Sequence, residues 1–597
     1  MAKYKPREIL LGYHKPEGGS GMKFISANIT GGFTLGMRGS TAGRLAKFSD
    51  RVSRRISYTS TRSYGMFLMS YGFLSMLIHF VKDYLGYYER TPIGILITCA
   101  VISAVAVPLL VFDKPLCLAL QDFPPTDYLF FEFFCIKRMD YTKERGIHPM
   151  IALSMGIVLA ILGVFVPALW VMLGFAALVY VYLTFISPEF SFLLIFLAIP
   201  YLPLLSHPGH VLAAAVGVTL ISFGRKVFQG KRVYYFEQYD LLIYLFIAAV
   251  AVGGVLINGG SAISGALVMC LLTGGYILAS CLITNRRLAD CAIKAVVISS
   301  VPVALFSVIY FVLNVIKYGR DGIHSVSATF DTPAALAVFL LISAALSCYF
   351  IIESKGGERV AYIFILMLVL AALVTTLELF ALVAAVAGVI AYGLAKVRKT
   401  SGVLLAVTAL LPYGVLLLPR RVLEFSDSLP ILSHMRLVRR AEIFTESGRM
   451  FLNNLLFGVG VGEECFSSEM VEMSGIKAQN SGSFLLGIGC EMGVIALVVF
   501  LLIILVRIIH RIIYMPYVRS SQVSRICRFT SSVEVALFAF GAISYIWADM
   551  TMFYTFFCIF GIASATLRIS KREFDDRVGY YRDGSGSESS NIDIVIR

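Results

Sequence analysis

Residues 483–507 read SFLLGIGCEMGVIALVVFLLIILVR, a run whose charged side chains are Glu491 and the terminal Arg507. A helix that crosses a bilayer needs about 20 mostly apolar residues. The run therefore predicts a transmembrane helix with an ionisable residue inside it. An acidic side chain in that position is energetically expensive, so Glu491 is a candidate functional residue.

Runs of this kind recur along most of the chain. The pairs divided by Pro167, Ser187, Leu377 and Asp549 could each form one longer element. The prediction is therefore an all-α fold, a polytopic transmembrane helical bundle of about 14–16 spans. The predicted spans are 66–84, 93–112, 149–166, 168–186, 188–205, 209–223, 240–257, 261–283, 293–313, 333–352, 360–376, 378–395, 402–419, 483–507, 530–547 and 550–567.

Composition supports the same fold class. Of the 597 residues, 58% are hydrophobic and 15% are charged, against about 45–50% and about 25% in soluble domains. These values exclude a nucleic-acid-binding protein despite the net charge of +14, because cytoplasmic loops facing an anionic leaflet explain the excess. The 11 cysteines form no C-x-x-C pair, so we expect neither a disulfide framework nor a metal site among them.

The distribution of Lys and Arg predicts the orientation. With the basic N-terminus inside, the even-numbered loops are cytoplasmic, and both termini are cytoplasmic. The basic residues of those loops are Lys137, Arg138, Lys143, Arg145, Arg225, Lys226, Lys231, Arg232, Arg286, Arg287, Lys355, Arg359, Lys396, Arg398, Lys399 and those from Arg507 to Arg528.

Five segments follow from these boundaries. Residues 1–65 are predicted to be a basic, largely disordered cytoplasmic tail, and 568–597 a second cytoplasmic tail. Residues 66–419 and 483–567 hold the two parts of the transmembrane bundle. Residues 420–482 form one large extracytoplasmic loop, the predicted active-site loop. Within the bundle, residues 115–148 predict an interfacial or re-entrant piece.

The large loop carries an unusual set of arginines on the outer face. Close-set guanidinium groups repel each other unless an anion joins them, so the cluster indicates anion binding. Residues 436–454 have the pattern of an amphipathic helix. The alternative is a solvated loop balanced by its acids, with Arg449 paired to Glu446 or Glu442. The arginines are Arg420, Arg421, Arg436, Arg439, Arg440 and Arg449.

Three stretches of the chain resemble the O-antigen ligase and O-antigen polymerase superfamily. Arg440–Phe444 (RAEIF) and Leu456–Gly462 (LFGVGVG) resemble its R-x-x-[IL]-W and P-L-F-G-V-G-x-G signatures. Ala328–Ala337 (ATFDTPAALA) resembles its G-T-F-x-N-P-N-x-x-A segment. Ser483–Ile495 resembles the H-N-S-[YF]-L…E-x-G-[IL]-x-G element that opens the helix after the loop. The stretches occur in the family's order and cover roughly residues 190–567.

The resemblance implies a metal-independent, inverting membrane glycosyltransferase that uses no cofactor and lies in the bacterial cytoplasmic (plasma) membrane. Its donor would be a polyprenyl-diphosphate-linked glycan, such as one on undecaprenyl diphosphate, and its acceptor a glycan or lipid hydroxyl in contact with membrane lipid. A polysaccharide polymerase is favoured over a ligase, because the family's catalytic His is absent from 477–482 and its Thr-x-Ser-Arg helix ends here in Glu378.

Site residues follow from that reaction. Fixed guanidiniums would stabilise the leaving diphosphate, with Arg440 as the first candidate and Arg436, Arg439 and Arg449 behind it. The general base is open among His434, Glu463, Glu464 and Glu491. Glycines allow close approach of a ligand to the backbone. The predicted catalytic residues are Arg440, His434 and Glu491, and the predicted substrate-binding residues are Arg436, Arg439, Arg449, Gly458, Gly460, Gln479 and Asn480.

Other functions remain alternatives. A lipid-linked oligosaccharide flippase or transporter would show internal repeats and charges in broken helices at the membrane centre, which the sequence does not display convincingly. A polytopic transferase that builds peptidoglycan strands is a third possibility, although that family's motifs are not found. A non-catalytic member of the superfamily is the fourth.

Overall fold

In a computed structural model of the chain, the structure describes residues 41–85, 93–136, 138, 146–165, 168–236, 240–256, 260–319, 324–394, 401–428, 437–520, 523–542 and 544–584. Within these residues the fold is helical, and the one β-type pairing is an isolated bridge between Ser60 and Pro115.

The chain divides into two compact units. The first includes the described residues up to Leu193 together with Val218–Tyr234, and the second includes Leu194–Gly217 and the chain from Tyr235 onward. The first nine helices are α1 (Thr41–Ser57), α2 (Thr61–Leu85), α3 (Ile93–Val111), α4 (Leu116–Asp122), α5 (Pro124–Thr126), α6 (Pro149–Phe165), α7 (Ala168–Ile186), α8 (Pro188–Ala198) and α9 (Pro208–Phe228). A π-helix covers Asp127–Phe133, and a 3₁₀ helix covers Ile199–Leu204.

The remaining helices belong to the second unit. They are α10 (Asp240–Leu256), α11 (Gly260–Leu282), α12 (Arg286–Tyr318), α13 (Pro333–Glu353), α14 (Gly357–Thr375), α15 (Leu379–Leu394), α16 (Ser401–Leu410), α17 (Arg420–Ser428), α18 (Leu437–Asn453), α19 (Glu463–Ser474), α20 (Phe484–Ser520), α21 (Ser524–Gly541) and α22 (Met550–Gly584). Short 3₁₀ helices cover Leu411–Leu417 and Ile546–Ala548.

The helices confirm a multi-pass membrane protein. Among the described residues, nine are long and apolar enough to cross a bilayer, and further apolar helices are shorter. Each of the sixteen predicted runs overlaps a helix, and the chain breaks at Ser187, Leu377 and Asp549 as the sequence suggested. The nine are Thr61–Val81, Ile93–Val111, Pro208–Phe228, Ala262–Leu282, Arg286–Tyr318, Pro333–Glu353, Gly357–Thr375, Phe484–Arg507 and Met550–Glu573.

Both predicted tails contain more helix than expected. Helix α1 covers Thr41–Ser57, inside the segment 1–65 predicted to be largely disordered, and the earlier part of that segment lies outside the described residues. Phe48, Val52 and Ile56 recur every four residues there, which places them on one face of a helix. Helix α22 continues past the predicted boundary at 567 to Gly584, and residues 562–578 contain no Pro or Gly that would favour an end at that boundary.

An aromatic core anchors the connection that leads into α22. The Trp547 ring is fully buried, and its centroid lies 4.7 Å from that of Phe484, 4.7 Å from that of Phe553 and 5.0 Å from that of Phe500. Edge-to-face pairs at these distances add to the free energy of burial. The core therefore fixes the residues on either side of Trp547, including Tyr545 and Asp549.

A backbone break divides α20 at Gly493, where φ is 79° and ψ is 177°. The segment after α18 replaces the lost helical hydrogen bonds. The Val459 amide donates to the Cys490 carbonyl at 2.8 Å, the Gly460 amide to the Glu491 carbonyl at 3.2 Å, and the Val494 amide to the Leu455 carbonyl at 2.8 Å. The glycine-rich stretch of the large loop is therefore paired with the backbone of α20.

Candidate functional site

A pocket of about 240 Å³, lined by both polar and apolar residues, lies in the second unit. Four separate stretches of the chain line it: the start of α13, the first half of α18, the residues before α20, and the connection between α21 and α22. The lining residues are Thr332, Ala334, Ala335, Val338, Arg440, Ile443, Asn480, Gly482, Ser544, Tyr545, Ile546, Ala548 and Asp549.

Three of those stretches are the ones singled out in the sequence. They contribute the Thr332 region, Arg440, and the Asn480 region just ahead of α20. The pocket also lies at the N-terminal ends of three long helices, α13, α20 and α22. Helix N-termini carry a partial positive charge, so their convergence favours an anion.

Arg440 is the basic residue among those that line the pocket. It lies in the first turn of α18, a helix that buries Leu437, Ser447 and Met450 on its inner side. Its Nη2 is 3.4 Å from Oε1 of Glu378, and the two side chains are 26% and 15% exposed. An ion pair this loosely spaced and this well shielded from water orients the guanidinium without preventing contact with a second anion.

Glu378 reaches Arg440 because of a sharp turn. Leu377 has a positive φ of 54°, which ends α14 and sends the chain directly into α15. The Glu378 carbonyl then accepts a hydrogen bond from the Ala381 amide at 3.0 Å. Glu378 thus supplies the counter-charge to Arg440.

Asp549 is the acid among the lining residues. Its Oδ1 accepts hydrogen bonds from the Thr551 amide at 2.8 Å and from the Thr551 hydroxyl at 2.6 Å, so it caps the start of α22. Its Oδ2 is buried and has no hydrogen-bond partner among the described residues. Burial raises the pKa of Asp549 above its usual value, and the nearby Asp331 carboxylate raises the same pKa further.

The residues before α20 form a tight polar turn. The Gly482 amide donates to Oδ1 of Asn480 at 3.1 Å, and the Ser481 hydroxyl donates to the Ser483 carbonyl at 2.8 Å. Asn480 and Gly482 line the pocket, whereas Gln479 is exposed and is not among the lining residues. Of the two predicted substrate-binding residues with amide side chains, Asn480 lines the same pocket as Arg440 and Gln479 does not.

Glu491 is 4% exposed and is not among the lining residues. Its Oε2 accepts a long hydrogen bond of 3.5 Å from the Gly462 amide, at the start of α19. Tyr545 lines the pocket and interacts electrostatically with Glu491. Its buried hydroxyl has no hydrogen-bond partner of good geometry among the described residues. Glu491 thus links the large loop, α20 and one wall of the pocket.

Two of the other predicted basic residues are not among the described residues that line the pocket. Arg439 is exposed, and Arg449 is an exposed side chain whose Nη1 lies 2.8 Å from Oε1 of Glu446. This pairing of Arg449 is the alternative that the sequence left open. His434 and Arg436 lie outside the described residues.

Gly458 and Gly460, which the sequence predicted to bind substrate, pack against other helices and are not among the described residues that line the pocket. A Cβ at Gly458 would come within 2.6 Å of the Glu491 carbonyl carbon, and one at Gly460 would be 3.2 Å from the Ala262 Cβ. The expected close backbone approach is present, but to α20 and α11 rather than to the pocket. Binding of substrate by these two glycines stays a prediction.

Sequence reasoning missed Glu378 as a partner of Arg440, and it missed Tyr545 and Asp549 as site residues. Asp549 carried a usable signal, since Asp followed by Thr551 before an apolar run is a helix-capping pattern. Within the described part of the chain, no group of three or more His, Cys, Asp or Glu side chains is placed to hold a metal ion.

The comparisons with known proteins add no assignment. Neither a search against protein-family models nor a search of curated proteins gave a match to this chain.

Proposed function

We propose that this protein is a membrane glycosyltransferase that moves a glycan from a polyprenyl diphosphate to an acceptor hydroxyl at the outer face of the bacterial cytoplasmic membrane. The observation that carries the proposal is the position of Arg440, whose stretch of α18 shares a pocket with the Thr332 region and with the Asn480 region. Those are the stretches that resemble the O-antigen polymerase and ligase superfamily, and polymerisation is favoured over ligation.

The pocket suits a leaving diphosphate. Transfer forms a bond from the acceptor oxygen to C1 of the donor sugar and breaks the bond from C1 to the diphosphate oxygen. The electron pair leaves with that oxygen, so negative charge grows on the diphosphate. Arg440 and the N-termini of α13, α20 and α22 supply the fixed positive potential that stabilises this charge.

The size of the pocket limits what it can hold. Its volume of about 240 Å³ is below the ~300–1,000 Å³ of pockets that enclose a drug-sized ligand. We therefore expect the pocket to take the diphosphate and the adjoining sugar, with the rest of the glycan and the polyprenyl chain outside it.

The charge distribution of the surrounding helices supports the outer face as the location. Helices α13, α20 and α22 start at the pocket, and a basic residue follows each start at a similar distance, at Lys355 just past the end of α13 and at Arg507 and Arg568 within α20 and α22. About 20 residues separate each helix start from its basic residue, which corresponds to about 30 Å of helix. The positive-inside rule then places the basic ends in the cytoplasm and the pocket outside.

The direct test is mass spectrometry of polyprenyl-diphosphate-linked glycans in a strain that lacks the protein. A polymerase predicts the accumulation of single repeat units, and a ligase predicts the accumulation of full-length chains. Expression of the intact gene should reverse either change. Unchanged lipid-linked glycans would contradict both activities and leave a non-catalytic role.

A cysteine at the exposed Ser468 in α19 should be labelled from outside the cell. Cys465→Ser/Ser468→Cys is expected to react in intact cells with an impermeant thiol reagent, because α19 belongs to the predicted outer loop. A matched cysteine in place of the exposed Lys355, at the opposite end of α13, should react only after the membrane is permeabilised. Labelling in the reverse order would invert the proposed topology.

A further inference from the structure

We infer that Asp549 is the general base of the pocket, the group that accepts the proton of the acceptor hydroxyl, and that the acceptor enters on the side of the pocket formed by the α21–α22 connection. This inference rests on the proposed function. It fills the role for which the sequence offered His434, Glu463, Glu464 and Glu491, because Asp549 is the acid among the described residues that line the pocket, and His434 lies outside the described residues.

The geometry of Asp549 separates its two oxygens. Thr551 holds Oδ1 through two hydrogen bonds at 2.8 and 2.6 Å, which fixes the carboxylate at the head of α22. Oδ2 is buried without a partner among the described residues. A buried carboxylate oxygen that is left unpaired costs free energy, so it is expected to have a ligand during function.

The charged and titratable neighbours of Asp549 suit a base. Arg440 and Tyr545 line the same pocket, and Asp331 acts on Asp549 electrostatically. Burial and Asp331 raise the pKa of Asp549, which makes its carboxylate a stronger proton acceptor than an exposed aspartate. The charge of Arg440 is itself paired with Glu378 at 3.4 Å.

The roles of the two residues then divide across the pocket. As the acceptor oxygen bonds to C1, its O–H bond breaks and the proton moves to Oδ2 of Asp549. The bond from C1 to the diphosphate breaks at the same time, and the leaving oxygen is stabilised by Arg440. Asp549 later releases the proton to water, which restores the carboxylate for the next transfer.

Asp549→Asn is the sharpest test, because Asn has the same shape and is an equally good helix N-cap, yet it cannot accept a proton. Purified full-length protein would be added to membranes from the deletion strain to measure transfer. Binding of undecaprenyl diphosphate alone would be measured separately on the purified protein. We expect transfer to fall by about 10²–10⁴-fold while the dissociation constant for undecaprenyl diphosphate changes by less than about threefold. Asp549→Glu should restore part of the activity.

Asp240→Asn is the matched control. Asp240 is a buried aspartate at the start of α10, where it accepts a hydrogen bond from the Tyr276 hydroxyl at 2.5 Å, and it is not among the residues lining the pocket. The same chemical change there should leave transfer within about threefold of wild type.

The outcomes separate this inference from the proposed function. If Asp549→Asn retains transfer, or if it loses diphosphate binding and thermal stability together, Asp549 is not the base even though the enzyme assignment stands. If the wild-type protein neither binds undecaprenyl diphosphate nor performs transfer, the proposed function fails and the inference fails with it.

The pH profile gives an independent readout. Because the base must be deprotonated, activity should fall as the pH drops through the raised pKa of Asp549, and this acid limb should shift in Asp549→Glu. The other ionisable groups to consider are Asp331, Tyr545, and Arg440 with its partner Glu378. An acid limb unchanged in Asp549→Glu would overturn the inference.

Discussion

Arg440→Ala is expected to lower glycan transfer by about 10²–10³-fold while the protein still reaches the membrane. The guanidinium provides a fixed charge beside the position proposed for the leaving diphosphate, and loss of one such donor costs about 3–4 kcal/mol of transition-state stabilisation. Arg440→Lys should recover part of the activity, because Lys keeps the charge but loses the planar, bidentate geometry of Arg. Transfer would be measured in membranes from the deletion strain, which supply both donor and acceptor.

Arg449→Ala is the matched control for this prediction. Arg449 lies on the same helix, but its guanidinium is exposed and paired with Glu446 at 2.8 Å, and exposed ion pairs contribute about 0–1 kcal/mol. We expect its transfer activity to remain within about twofold of wild type. Near-normal transfer by Arg440→Ala, or equal losses in the two variants, would remove Arg440 from the site.

A double variant separates binding of the diphosphate from destabilisation. Arg440→Ala leaves Glu378, which is 15% exposed, without its ion-pair partner, and such a residual charge can itself destabilise a protein. Arg440→Ala/Glu378→Ala removes both charges. If the loss of transfer persists in the double variant while its melting temperature recovers, the defect lies in the interaction with substrate.

The sequence predicted the helical class and singled out Arg440 for different physical reasons. Spans could be located because the length and apolarity of a bilayer-crossing helix are local properties of the chain. Arg440 could be singled out because a local motif surrounds it. Its environment could not be read in the same way, since Glu378 lies 62 positions earlier and the two meet through a turn at Leu377.

The glycine stretch shows the same limit. Its positive φ values and close approach follow from residue type, and Gly458, Gly460 and Gly462 do have φ values of 72°, 106° and 118°. Residue type could not indicate what approaches them. The structure places the backbone of α20 beside Gly458, whereas the sequence suggested a ligand, because helix docking and ligand binding both require the absence of a side chain.

Gly493→Ala is expected to have the largest effect on stability, about 3 kcal/mol or more. Its φ of 79° and ψ of 177° fall in a region that is essentially restricted to glycine, which costs other residues about 1–3 kcal/mol. In addition, an added Cβ would overlap the Leu456 carbonyl and come within 2.6 Å of the Phe457 Cα, so the backbone itself would have to move. The measurement is the melting temperature of the purified protein in detergent.

Gly393→Ala is the control that isolates this effect from a general intolerance of alanine. Gly393 lies in the helix α15, and an added Cβ there meets no atom within 4 Å, so alanine should leave the melting temperature unchanged or raise it. Because the broken α20 also holds Glu491 next to the amide of Gly462, Gly493→Ala should lose transfer together with stability. If Gly493→Ala had the same melting temperature as the wild type, the break in α20 would not be required to hold the large loop against the bundle.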